Sequence, residues 1–546
     1  MKRSFLPSIW TLLSLLALAL LAVFLLWPLL NLLGTSLALS GDGQSGWAQL
    51  IDDPKYLRAL GNTLLLGAAV TLCASVLGVS LAYVTARFDF PGKPWVAILP
   101  LCTLVVPEVI VSQTWLMILG NNGVLTLWLD QHLRLRLPSF YGWPGLVLVM
   151  SLVYYTYIYL GTLAAIRGFD VQLEEAAQSL GTAPGHARLQ VMLPLIMPAV
   201  LASALLVFTL VVGNFAIATL LGGRVQLLSV LTYLSFISEM GTNPALQSIL
   251  ASVSIAIVAG VLFLQRYLVG RKRYELVQGR SAPSRKLRGV PGLLLGAAIG
   301  GFILLSSLPL LTVLVSAFTE SRGPVMQWGS FSLQNLSRVL LRSPEPILNT
   351  LLYGCIATLI SLVLSVLISY LVIKKKNLLT PLIDYIAMLP MAMSGTVLGI
   401  ALVMTFNTGW LALSGSAAIM VLVFVIRRFP FGVRSASSTL YNIPNSIEEA
   451  SISLGVAPLR SFIKVVLPLM APAIAAAAVL TWTTIVAELS ASLVVYSAGR
   501  ETITIQVFRL IETGLQGQAA AYGLILVLMT LVPVLFCSLV LRIKVF

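Results

Sequence analysis

Residues 174–194 read EEAAQSLGTAPGHARLQVMLP, and residues 448–468 read EEASISLGVAPLRSFIKVVLP. Each stretch carries Glu, Ala, a small residue, three further residues, Gly, nine residues and then Val-x-Leu-Pro. The first copy places these at Glu175, Ala176, Ala177, Gly181, Val191, Leu193 and Pro194; the second places them at Glu449, Ala450, Ser451, Gly455, Val465, Leu467 and Pro468. Matching positions lie 274 residues apart in a chain of 546. A gapped pattern that returns at half-length without slippage marks an internal repeat rather than a chance loop. Both copies are polar, helix-forming islands in an apolar chain. Ser446 and Glu449 fit a capping box. The first copy has Gln172 where the second has Ser446, so Asp170 is its expected cap. Gly181 and Gly455 are placed to end each helix in a left-handed conformation. Pro194 and Pro468 precede the next apolar run. The expected shape is a short amphipathic helix, a sharp turn and re-entry into the membrane.

Composition makes the rest of the chain membrane-spanning. It is 58% hydrophobic and 10% charged, with mean hydropathy +0.97. Apolar runs of this length are transmembrane helices. The net charge of +15 does not point to nucleic acid, because the basic residues cluster between apolar runs as the positive-inside rule requires. Cys73, Cys102, Cys355 and Cys537 lie in apolar segments without a CxxC pair, which argues against disulfides or metal ligation. With only His132 and His186, a histidine metal site or a catalytic triad is not expected, and no cofactor is implied.

Taken in order, the chain reads as about twelve spans, an all-α polytopic membrane protein. Lys2 and Arg3 precede a run over 9–33, too long for a signal peptide's apolar core. Further runs cover 63–85, 95–119, 145–166, 195–221 and 248–269. A basic stretch with Gly, Ser and Pro, residues 271–289, reads as a cytoplasmic linker. The second half repeats the plan at 290–317, 350–373, 381–406, 412–430, 469–495 and 519–541. Lys374, Lys375 and Lys376 stand where Arg87 stood; Arg427, Arg428 and Arg434 flank the second polar segment; Arg542 and Lys544 close the chain. Both termini are therefore expected in the cytoplasm. Asn62-Thr63-Leu64-Leu65 returns as Asn349-Thr350-Leu351-Leu352, 287 positions later. Six spans per half gives both halves one orientation, a parallel repeat. The expected domains are 1–270 and 290–546.

The Glu-Ala-Ala segments resemble the EAA motif of permease subunits in binding-protein-dependent ABC importers. The chain most resembles the fused permeases of ferric-iron, thiamine and aminophosphonate importers, whose fold is the type I importer permease. The resemblance spans nearly the whole chain apart from the first span of each half and the linker. It implies that 170–187 and 444–461 are coupling helices, each seated on one of two cytoplasmic ATPase subunits. On that basis Glu175, Ala176, Ala177, Gly181, Pro194, Glu449, Ala450, Ser451, Gly455 and Pro468 are the candidate ATPase-coupling residues. Arg188, Arg460 and Lys464 are candidates for additional contacts. No GxxxxGK[ST] sequence occurs, so ATP hydrolysis is expected on the separate subunits and the chain is not expected to be an enzyme. The resemblance also implies a periplasmic or lipid-anchored binding protein that docks on 34–62, 120–144, 222–247, 318–349 and 496–518. The setting is a bacterial inner membrane, and ferric iron is the favoured substrate, ahead of thiamine, aminophosphonate or polyamine. An ion-coupled twelve-span secondary transporter is the alternative; it leaves the doubled EAA segment unexplained.

Ionisable groups inside spans are functional candidates by default. Glu108 follows Pro107, and Glu488 lies deep in the eleventh span with Asn214 at its repeat position. Asn214 departs from the acidic form that the family pattern has there. Two readings stand for this pair: lining the substrate pathway, or tying helices together by polar bonds.

Overall fold

A computed structural model describes residues 9–38, 46–90, 92–93, 100, 106–237, 244–271, 285–286, 289–323 and 325–539. Lys2, Arg3, Cys102, most of the 271–289 linker, the start of the third span, Arg542 and Lys544 lie outside those residues. The fold is all-α and polytopic. By length and composition, nine described helices are able to cross a membrane: Ile9–Ser36, Pro54–Arg87, Trp143–Arg167, Pro184–Val212, Pro244–Leu268, Val290–Ala317, Glu345–Lys374, Pro458–Val486 and Gln516–Cys537. Three expected spans take other forms. The third is described as a helix only over Glu108–Leu119. The ninth is not straight: Thr380–Ala392 and Gly395–Phe406 meet at 113°. The tenth, Ala417–Asn442, runs well past its expected end and carries Arg427, Arg428 and Arg434 within it. Besides helices there is a small antiparallel pair, Thr319–Arg322 with Val325–Phe331, which the sequence reading did not anticipate.

The bend in the ninth span has a local cause. Ser394 leaves helical geometry and its hydroxyl accepts from the Val397 N–H. A side chain at Gly395 would lie 2.7 Å from Ser490 Cβ and 2.9 Å from Ala491 N. Only glycine lets the backbone come that close.

The compact units do not follow the expected boundary at 271–289. One unit comprises Met1–Gln49, Thr232–Ser252 and Leu333–Phe546, and the other Leu50–Leu231 and Val253–Ser332. The first span therefore belongs with helices of the second repeat. Asn31 donates to Thr405 Oγ1 at 3.1 Å, and Trp27 meets Phe406 edge-on at 5.6 Å. The seventh span likewise joins the helices of the first repeat, with Tyr155 and Ser306 hydroxyls 3.2 Å apart. Duplication set the sequence repeat, whereas burial of apolar faces set the packing.

Within the second unit, the Pro54–Arg87 helix packs on Trp143–Arg167, and its buried residues are mostly small, among them Ala59, Thr63, Ala74 and Gly78; a side chain at Gly78 would lie 2.7 Å from Tyr155 O. Small side chains let helices approach closely where no hydrophobic force separates them from lipid. In the other unit Glu345–Lys374 meets Ala417–Asn442 in the same way. There Ser365 and Ser369 donate to the Phe429 and Val433 carbonyls at 2.9 Å. The repeated Asn-Thr pair has matching work. Asn62 donates to the Gln226 carbonyl and Thr63 accepts from Leu228 N–H; Asn349 donates to the Gly499 and Glu501 carbonyls and Thr350 accepts from Ile503 N–H.

Among the described residues, the π-helical turns Ala22–Leu26, Arg188–Met192, Arg338–Arg342 and Phe462–Val466 each end two residues before a proline: Pro28, Pro194, Pro344 and Pro468. Proline removes an N–H and crowds the carbonyl four residues back. Widening the preceding turn so that Leu193 N–H reaches Arg188 O, and Leu467 N–H reaches Phe462 O, relieves that crowding. Pro194 and Pro468 thus sit inside continuous helices. Re-entry starts earlier than the sequence suggested, at Pro184 and Pro458.

Candidate functional site

The two EAA segments form the same structure twice. The first helix is Val171–Ser179, capped by Asp170, whose carboxylate accepts from Gln172 N–H at 3.0 Å. The second is Asn445–Ser453. Its expected capping box does not form. Pro444 holds the N-cap position, and Ser446 falls inside the helix. Proline excludes the helical region for Ile443 before it, so the helix starts directly after the ring.

Both helices end as expected. Gly181 has φ +91° and Gly455 φ +88°. Thr182 N–H bonds Ala177 O and Gly181 N–H bonds Gln178 O, while Val456 and Gly455 bond Ser451 O and Ile452 O. That is the Schellman pattern in each copy.

Glu175, Ala176, Glu449 and Ala450 are exposed on this face, Ala177 is half-buried and Ser451 is buried. Arg460 and Lys464 are exposed as well. The residue that fixes each helix is the glutamate one position earlier, which the sequence reading passed over. Glu174 is 3% exposed and Glu448 6%. Glu174 takes Arg87 at 2.5 Å and Arg188 at 3.2 Å. Glu448 takes Lys375 at 2.7 Å and accepts from the Tyr370 hydroxyl at 2.6 Å. Lys374 donates to the Ile443 carbonyl and to Asn445 Oδ1. Breaking one side of a buried pair costs about 3–5 kcal/mol, because a buried charge is left behind. The signal was present in the sequence: a doubled Glu in each copy, and Arg87 and Lys374 at matching repeat positions.

A second pair of polar clusters sits where helices break. In one unit, Asn214 follows the Leu193–Val212 helix and caps Ala216–Leu221, its Oδ1 accepting from Ile217 and Ala218 N–H. Its Nδ2 donates to Glu108 Oε2 at 2.6 Å and to Tyr154 OH at 2.8 Å, and the Tyr154 hydroxyl donates to Glu108 Oε1 at 2.6 Å. In the other unit, Glu488 follows Leu467–Val486 and accepts from Ala491 N–H at 3.1 Å. Its Oε2 takes Arg427 Nε at 2.7 Å and Arg428 Nη2 at 2.5 Å. Ser229 donates to the Asn214 carbonyl as Thr504 does to the Glu488 carbonyl.

This geometry corrects two expectations. Arg427 and Arg428 do not serve as loop charges flanking the EAA segment; they address Glu488. Asn214 does not leave its half without an acid, because Glu108 from another helix places a carboxylate against it.

Two matched polar segments, each locked to its own bundle and each followed by a broken helix, define a duplicated membrane transport component. The chain belongs to the family of binding-protein-dependent transport system inner membrane components, whose model matches residues 74–274 and again 357–543. Both matches leave out the first span of each half, the span whose packing departs from sequence order. A ferric transport system permease protein of Actinobacillus pleuropneumoniae is 25% identical over 88% of this chain and 70% of its own length. An Fe(3+)-transport system permease protein of Haemophilus influenzae is 25% identical over 89% of this chain and 90% of its own. A putrescine transport system permease protein of Escherichia coli is 28% identical over 43% of this chain and 82% of its own, about one half of the present molecule. The chain is thus a fused, two-domain ABC importer permease of the bacterial inner membrane, a transport component and not an enzyme. Its family works with an ATPase and a binding protein.

Proposed function

We propose that this protein passes ferric iron from an external binding protein to the cytoplasm, driven by two copies of an ATPase subunit that dock on residues 170–187 and 444–461. The observation that carries the docking assignment is the doubled segment: exposed Glu175 and Glu449, a Schellman turn at Gly181 and Gly455, and a buried glutamate anchoring each helix. Closure of the ATPase pair pushes on two helices that cannot slip, because Glu174 and Glu448 tie them to membrane helices, and the two repeats, 1–270 and 290–546, rock between outward- and inward-open states. The basic clusters support a cytoplasmic placement of this end and of both termini. The full-length ferric permease relatives favour iron; putrescine, aminophosphonate and thiamine are the competing cargoes. The deciding experiment purifies the complex with its ATPase and adds binding protein loaded with each cargo. ATPase stimulation and vesicle uptake with ferric iron are expected. Stimulation only by another cargo rejects iron, and ion-gradient-driven uptake without ATP rejects the importer reading altogether.

A further inference from the structure

The two repeats are not equivalent beside their EAA segments. In the second repeat, Trp10 of the first span lies on a cluster that includes Val366, Tyr370, Leu440, Val466, Leu467 and Met470. Its ring is 5.0 Å from that of Tyr370 and 6.4 Å from that of Phe462, and Lys375 sits 5.6 Å above it. The same offsets of 287 and 274 that relate the repeats map this cluster onto Val79, Tyr83, Ile166, Met192, Leu193 and Ile196. Those six residues line a cavity of about 330 Å³. That volume is in the usual range for small-ligand sites, ~300–1,000 Å³. What Trp10 fills in one repeat is open in the other.

The mouth of the cavity differs in charge as well. Arg188 lines it where the second repeat has Phe462. Glu174 faces two guanidiniums, Arg87 and Arg188, so one positive charge is left over. Glu448 faces one cation, Lys375, and a neutral hydroxyl. Ser80, which is exposed, and Tyr83 are among the residues that line the cavity. Arg285 and Lys286, which pair with Phe88 and Asp89, are themselves basic and do not complement this charge. An apolar interior with a cationic mouth at the membrane boundary matches an acyl chain attached to an anionic headgroup.

We propose that the cavity lined by Val79, Tyr83, Ile166, Arg188, Met192 and Ile196 binds one anionic phospholipid. Its acyl chain takes the place that Trp10 takes in the second repeat, and its phosphate lies on Arg188. The lipid then braces the root of the first EAA segment as Trp10 braces the second. The cytoplasmic leaflet as its source rests on the orientation in the proposed function; the binding itself does not. The test uses the full chain purified with its ATPase, in nanodiscs of phosphatidylcholine with or without phosphatidylglycerol, with retained lipid counted by native mass spectrometry. One phosphatidylglycerol per complex is expected, favoured about fivefold over phosphatidylcholine for a single cationic contact. Leu189→Trp and Ser80→Trp, at the exposed rim, should each remove that lipid while the complex stays assembled. Equal retention of the two lipids, displacement by soluble glycerol phosphate, or undiminished retention in both plugged variants overturns the proposal. Failure of the orientation would show separately, as labelling of a Ser446→Cys variant from the outside, with the lipid count unchanged.

Discussion

Substituting Glu488 by Gln removes one charge and almost no volume, so its cost isolates the electrostatics of the break after the Leu467–Val486 helix. Glu488 is 3% exposed, and the Arg427 and Arg428 side chains that reach it are each 18% exposed. At an effective dielectric near 20, a charge pair about 4 Å apart is worth roughly 4 kcal/mol. Two such attractions are offset by repulsion between the guanidiniums and by desolvation, which leaves about 3–5 kcal/mol lost when the shared carboxylate is neutralised. The glutamine oxygen still accepts from Ala491 N–H, so the local cap survives. Glu488→Gln should therefore lower the yield of assembled protein and its temperature of half-loss in a fluorescence-detected size-exclusion assay. Adding Arg428→Gln should recover part of both. Wild-type yield and thermal profile in Glu488→Gln would refute the ion-pair reasoning. Reduced uptake with unchanged assembly would instead give Glu488 to the pathway.

Gly181→Val and Gly455→Val meet no atom within 4 Å, so their cost is the backbone strain of a β-branched residue at positive φ, about 1–3 kcal/mol each; ATPase co-purification and uptake should fall while membrane insertion persists, and full values of both in the double variant would reject the coupling role. Asn214→Asp sets a second carboxylate about where Nδ2 now lies 2.6 Å from Glu108, so it should reduce assembly. The exchange Asn214→Asp with Glu108→Gln should restore it, and equal yields for the single and double variants would contradict the shared-acid reading. Cysteines at the exposed positions Ser446 and Ser139 should be labelled from the cytoplasmic side and from outside, respectively; the reverse pattern overturns the orientation.

Much of this was legible in the sequence, because periodicity and punctuation are local. The span pattern, the left-handed glycines and the Asp170 cap follow from residues close in the chain. The Asn-Thr repeat located real anchoring points even though its partners lie more than a hundred residues away. What escaped was long-range pairing of charge. Arg427 and Arg428 look like a loop cluster until a carboxylate sixty residues on is folded against them. Glu174 and Glu175 look interchangeable until helix phase buries one and exposes the other. The first span's affiliation was invisible for a related reason: apolar runs of leucine and alanine carry no address, and Trp10, Trp27 and Asn31 acquire partners only in three dimensions.

The two repeats of the fused chain are not symmetric. Two identical permease chains would carry identical anchors and identical acids. Here one EAA helix is held by two arginines and the other by a lysine and a tyrosine hydroxyl. One helix break is built around a neutral Asn214 with its acid on another helix, and the other around Glu488 with two arginines. Each cluster satisfies the same requirement, a buried carboxylate held beside a broken helix, with the charge supplied from a different element. Position 395 shows what this arrangement requires. It is the repeat counterpart of Glu108, and it is glycine. A side chain there would meet Ser490, Ala491 and the Glu488 carboxylate within 3.0 Å. In this repeat the acid stands at the helix break, and glycine at 395 admits the backbone that lies beside it. Gly395→Glu should therefore fail even with Glu488→Asn beside it, because the space at 395, and not only the charge, is taken.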